Sequence, residues 1–232
     1  MAPIRKGDGT PLEIPGVSEV RSGDGRVFFE GDAIPDSVVL QPEPNDLDNF
    51  SGDTNLFTIE DVNNFGDGDF ILRGEYDDTE PSDIFSDSGL NAYPEVEQRL
   101  SAKVRLSDEE SFIYVGFGAQ DIDNHYGVSL SADDRFEIRK DFGESQTSTP
   151  TVNIDTVYVI SWVWSSDTPN IEAELYEGED SDVMNDTPLA TVTFDDTDYT
   201  QGGVLIRNWR NTSDGEPQPE SSLADYYIEE SL

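Results

Sequence analysis

A chain of 232 residues is long enough for one good-sized domain with a short extension. It carries 51 Asp and Glu against 13 Lys and Arg, a formal charge of −38, and its only lysines are Lys6, Lys103 and Lys140. A field this negative opposes phosphate binding and argues against nucleic acid as a partner. The absence of cysteine excludes disulfides, thiol nucleophiles and Cys-ligated metals. Such a surface repels itself in dilute buffer, whereas at molar salt the Debye length falls to roughly 3 Å and the repulsion is screened. The composition therefore points to work in concentrated salt. No window is long and apolar enough to insert in a membrane, and Met1 to Thr10 has no apolar run of a secretory leader.

Residues 1–44 read as an N-terminal arm. Gly7-Asp8-Gly9 and Gly23-Asp24-Gly25 each separate short apolar runs, the pattern of small β-hairpins. Val27, Phe28, Phe29, Val38, Val39 and Leu40 are too few to fold alone and need a surface, in the main domain or in another subunit. Pro42 and Pro44 mark the boundary to a second region, residues 45–232.

From Asn45 onward strands and turns alternate. Strands are expected at Leu56–Ile59, Asp69–Gly74 and Asp83–Ser86, with a polar stretch around the last of these. Residues 99–130 read as three antiparallel strands joined by two turns, the organising centre of the chain. Leu100, Ala102, Val104 and Leu106 alternate with polar residues, FIYVGFG is apolar on both faces, and YGVSL follows an oxygen-rich loop. Further strands fall at Arg135–Lys140, Val157–Trp164, Asn170–Tyr176, Leu189–Phe194, Val204–Trp209 and Leu223–Ile228. Gly143–Pro150 reads as a loop. No segment has a helical period. Many short strands with Gly, Pro and Asp turns predict an all-β, antiparallel jelly-roll sandwich with an N-terminal β-hairpin arm. Trp162 and Trp164 share a strand face with Tyr158 and Ile160 and belong to its core.

Two places could carry chemistry. Asp121, Asp123, Asn124 and His125 crowd one loop, followed by Tyr126. Their oxygens suit Ca²⁺, or sugar hydroxyls with His125 or Tyr126 stacked on the sugar, or simply an Asx turn. Arg207, Trp209 and Arg210 at a strand end could take an acidic glycan, or pair with nearby acids. His125 is the only histidine, so a multi-histidine metal site is excluded.

The order of Asp46-Leu47-Asp48-Asn49-Phe50, Gln98–Leu106, Tyr114–Gly118, Tyr126–Leu130, Tyr158–Trp164, Glu174-Leu175-Tyr176, Tyr199–Val204 and Ala224-Asp225-Tyr226-Tyr227 resembles the concanavalin A-like lectin and glucanase jelly roll, laminin-G-like domains included. The resemblance covers residues 45–232 and implies a lectin-like module. It also implies a structural Ca²⁺ near Asp46, Asp48 and Asp225, if first and last strands pair. The E-x-D-x-x-E run of the glucanase members is absent. Glu137 and Glu174 are the nearest strand acids and do not match it, so the expectation is a protein without enzymatic activity. The acidic composition resembles that of haloarchaeal proteins and their viruses. Together these point to a virion structural protein, a capsid turret, decoration or tail-fibre subunit. In that reading residues 1–44 join it to copies of itself and to other virion proteins, and the jelly roll faces host surface glycans. The alternative is a non-viral haloarchaeal carbohydrate-binding protein, outside the cell.

Overall fold

The computed structural model describes residues 19–21, 27–29, 38–40, 50–61, 70–74, 82–86, 94–107, 109, 111–178, 184, 186–210 and 221–229. The chain divides into two compact units, Met1–Asp36 and Ser37–Leu232. In the first, β1 (Glu19–Arg21) and β2 (Val27–Phe29) pair antiparallel with Val20 opposite Phe28, and the Gly23-Asp24-Gly25 turn expected between them lies outside the described residues. The hairpin expected at Gly7–Gly9 lies outside the described residues.

The second unit contains β3 (Val38–Leu40), β4 (Phe50–Gly52), β5 (Phe57–Asp61), β6 (Phe70–Gly74), β7 (Ser82–Ser86) and β8 (Gln98–Leu106). After these come β9 (Ser111–Ala119), β10 (Tyr126–Ser131), β11 (Arg135–Lys140), β12 (Glu144–Ser148) and β13 (Val157–Trp164). The last four strands are β14 (Ile171–Glu177), β15 (Ala190–Phe194), β16 (Gly203–Arg210) and β17 (Ser221–Glu229). No helix among the described residues is long and apolar enough to cross a membrane. The strands form two antiparallel sheets. One runs β12-β11-β10-β9-β16-β7-β4, and the other runs β15-β14-β13-β8-β17-β6-β5, with β3 also pairing β17.

Three sequence expectations change. The stretch 99–130 is not one three-stranded sheet. β8 lies between β13 and β17, whereas β9 lies between β10 and β16. Between Leu106 and Ser111 the chain passes from one sheet to the other. Four residues reach about 13 Å, enough for sheets packed about 10 Å apart. Second, Glu144–Ser148 is a strand rather than a loop. Its first four side chains are exposed, so no apolar alternation marked it, and backbone pairing to β11 holds it at the sheet edge. Third, Val38–Leu40, read as part of the arm, pairs with β17 through Leu40–Tyr226 and Val38–Tyr227.

The core lies between the sheets and follows the period of two. Leu100, Ala102, Val104 and Leu106 of β8 and Tyr158, Ile160, Trp162 and Trp164 of β13 face Ile113, Val115 and Phe117 of β9 and Tyr126, Val128 and Leu130 of β10. Phe117 packs on Trp162 and Trp164 at centroid distances of 5.6 and 5.2 Å. Gly118, at φ +61°, lets the Trp164 ring close in, since a Cβ there would sit 2.6 Å from it.

Candidate functional site

With Ile113, Val115, Val128, Ile138 and Ile206 turned inward, the alternate residues of the seven-stranded sheet face outward. Register aligns them in one row: Thr147 opposite Glu137, Glu137 opposite Ser129, Ser129 opposite Tyr114, Tyr114 opposite Arg207, Arg207 opposite Asp83. Six polar side chains from six strands thus cross about 24 Å of sheet at ordinary strand spacing. The next row is small at its centre, with Arg139, Gly127, Gly116 and Leu205 in register. The Tyr114 ring uses that space: a Cβ on Gly127 would lie 2.1 Å from Tyr114 Cζ.

Each charge on this face has a partner. Arg207 donates through Nε and Nη2 to the two oxygens of Asp83, both side chains being largely buried. Burial raises the Asp83 carboxyl above its usual range, against the lowering effect of Arg207. Glu137, only 4% exposed, accepts from Thr147 Oγ1 at 2.9 Å and Arg139 Nε at 2.7 Å.

His125 is fully buried. Its ring meets Tyr114 edge-on at 5.4 Å and Phe142 at 4.4 Å. Burial lowers its pKa to about 4, so the imidazole is neutral. Phe142 comes from the turn between β11 and β12. Its ring lies 4.9 Å from Tyr114, and the Arg207 guanidinium carbon sits 3.6 Å from the ring centre. Beneath that ring, Tyr114 Oη and both His125 ring nitrogens are buried with no hydrogen-bond partner among the described residues, as is Ser129 Oγ farther along the row.

The structure separates the residues that the sequence grouped. Asp121, Asp123 and Asn124 are exposed. Asp121 Oδ1 accepts from Asp123 N at 2.9 Å and Asn124 Nδ2 at 2.7 Å, which is the Asx turn. Among the described residues no group of three or more His, Cys, Asp or Glu is gathered to hold a metal ion. His125 and Tyr126, expected to stack on a sugar, present no ring face to solvent: His125, just before β10, packs against Tyr114 and Phe142, whereas Tyr126, the first residue of that strand, turns into the core. Tyr126 belongs to the core, where its hydroxyl donates to Asp196 and accepts from Tyr199 N at 3.2 Å. Arg207 is tied to Asp83 rather than free for an acidic glycan. Asp46 and Asp48, and the side chains of Trp209, Arg210 and Asp225, lie outside the described residues.

Tyr114, Ser129, Phe142 and Asp83 were not anticipated as site residues. Only strand pairing unites them, although the alternation within FIYVGFG already set Phe112 and Tyr114 on the face opposite Ile113 and Val115.

No protein-family model matches the chain, and no curated protein does. Solved structures match its fold. A Bacillus subtilis protein of unknown function with a galectin-like fold is 11% identical at TM-score 0.53, covering 83% of this chain and 94% of its own. A transglycosylase in complex with NAG is 7% identical at TM-score 0.53, covering 85% of each chain. The Bacillus licheniformis β-glucanase is 9% identical at TM-score 0.50, covering 76% of this chain and 83% of its own. The fold is the concanavalin A-like lectin and glucanase jelly roll. At these identities the likeness is one of fold alone. It corrects the expectation of a protein without enzymatic activity, because a glucanase and a transglycosylase share the architecture. The two strand acids considered earlier do not form a pair. Glu137 lies outward on the seven-stranded sheet, whereas Glu174 lies on the other sheet, accepting from Tyr176 Oη at 2.8 Å.

Proposed function

We propose that this is a lectin-like protein that binds carbohydrate on the outer face of its seven-stranded sheet, in concentrated salt. The observation that carries the reading is the registered row Thr147-Glu137-Ser129-Tyr114-Arg207-Asp83. Sugars are recognised by planar arrays of donors and acceptors beside an aromatic ring, and the row carries both, with Thr147 exposed at its end and the Tyr114 ring buried under Phe142. The charge of −38 supports function at high ionic strength.

The finer reading is display on the virion of a haloarchaeal virus, with residues 1–44 joining copies of the chain and other virion proteins. It rests on the acidic composition and the hairpin arm. Mass spectrometry of purified virions that never found this chain would sink it.

Binding is tested by titrating neutral oligosaccharides in 3 M salt against wild type, Thr147→Ala and Arg139→Ala. At least a tenfold weakening in both variants is expected. Binding that ignores these changes but vanishes on altering Asp121 and Asn124 would move the site to the loop. No binding across a broad glycan panel would refute the reading. Release of shortened or transferred oligosaccharide in the same assay would make the face a catalytic one.

A further inference from the structure

The turn between β11 and β12 is built oddly for a turn. Gly143 N donates to Lys140 O at 2.8 Å, so Asp141 and Phe142 are its central residues, at φ +53° and +56°. A tight hairpin requires left-handed φ at both central positions and normally recruits Asn, Asp or Gly there. Asp141 suits the first position, but Phe142 is poorly suited to the second. The glycine comes one residue later, where a Cβ would meet nothing nearer than 3.8 Å. Backbone geometry therefore does not account for Phe142.

Its ring does. It covers Tyr114, His125 and the Arg207 guanidinium together. Under it sit two neutral polar side chains, Tyr114 and His125, each fully buried, whose hydroxyl and imidazole groups lack partners among the described residues. Buried polar groups without partners are uncommon and call for an explanation. The turn is fastened through Asp141, whose carboxylate accepts from His125 N and Tyr199 Oη, each at 2.9 Å. Beyond it, β12 adds no buried side chain to hold the hairpin down.

We infer that Phe142 is a displaceable cover over a sugar subsite, occupying the place of a neutral pyranose ring whose hydroxyls would pair with Tyr114 and His125. This rests on the carbohydrate reading above. The chemistry selects a neutral sugar. Hydroxyls both donate and accept, as do Tyr and neutral imidazole. The cations beside the site, Arg207 and Arg139, are already matched by Asp83 and Glu137. Tyr114 and Arg207 provide the flat surface against which a sugar face would replace the phenyl ring.

Because His125 is the only histidine, its reactivity reports the cover directly. The experiment follows diethyl pyrocarbonate modification of untagged full-length protein in 3 M salt, with circular dichroism to verify the fold. Wild type, Phe142→Ala and Tyr199→Phe are compared, the last loosening Asp141 without touching the ring. At least a tenfold faster modification in Phe142→Ala and a several-fold rise in Tyr199→Phe are expected. Neutral oligosaccharide should slow the reaction of Phe142→Ala again and bind it at least tenfold more tightly than wild type. If His125 stays as protected as in wild type in both folded variants, the cover is refuted. Equal sugar affinity in wild type and Phe142→Ala also refutes it while leaving the carbohydrate reading intact. Faster modification that no oligosaccharide reverses supports the cover but overturns the carbohydrate reading.

Discussion

Arg207 and Asp83 stand 124 residues apart in the chain and opposite each other on neighbouring strands, joined by two parallel hydrogen bonds. The pair ties β16 to β7 on the outer face. Arg207 also carries the Phe142 ring, so one side chain links sheet closure to the covered site.

Removing one partner of a buried ion pair leaves an uncompensated charge. Arg207→Ala is therefore expected to cost about 3 kcal/mol in denaturant unfolding at fixed molar salt. The double change Arg207→Met with Asp83→Leu should cost clearly less. Equal losses in the two proteins would show that packing around the guanidinium, rather than the stranded carboxylate, sets the effect.

Gly127 has no room for a side chain beneath Tyr114. Gly127→Ala should destabilise by about 2 kcal/mol through forced displacement of the ring. Adding Tyr114→Ser to Gly127→Ala should restore part of that loss, measured as non-additivity in a double-mutant cycle.

His125 makes stability fall as the solution is acidified. The ordinary imidazole pKa is 6.5, and burial lowers it to about 4 in the folded protein. Between these values the unfolded chain takes up a proton that the folded one does not, so stability drops as pH falls from 6.5 towards 4. The contribution is roughly 3 kcal/mol across that window. Comparing wild type with His125→Gln isolates it from the many carboxylates. Identical pH slopes would contradict the buried neutral imidazole.

Lys140 reaches Asp196 at 2.8 Å and also Asp198, and these two carboxylates raise its pKa. Lys140→Met leaves two acids side by side in a chain already at −38. The midpoint salt concentration for refolding should rise in the variant, and the gap in thermal stability from wild type should shrink between 0.1 M and 3 M salt.

Most strands were legible because apolar residues alternate along them. Phe136 and Ile138, or Ile171, Ala173 and Leu175, point inward as their spacing demands. β12 was not, because Glu144-Ser145-Gln146-Thr147-Ser148 is polar throughout and is held by backbone pairing and the Thr147–Glu137 hydrogen bond. The loop from Asp121 to Asn124 drew attention by its oxygens, and Asp121 Oδ1 closes the loop's own turn. The outer-face row was invisible for another reason. Asp83, Tyr114, Ser129, Glu137, Thr147 and Arg207 share no local spacing, and only strand register brings them together. Phe142, between the expected strand Arg135–Lys140 and the expected loop Gly143–Pro150, has no spacing in the sequence that ties it to Arg207.

The placement of β16 and β17 bears on how the protein is made. β16 sits between β9 and β7, and β17 sits between β8 and β6. A nascent chain halted before Gly203 would hold every other strand of both sheets and yet have neither sheet joined across its middle. Folding of the sandwich must therefore wait until residue 229 has cleared the ribosome. Until then, the strand edges that β16 and β17 will occupy are open to strands of other chains.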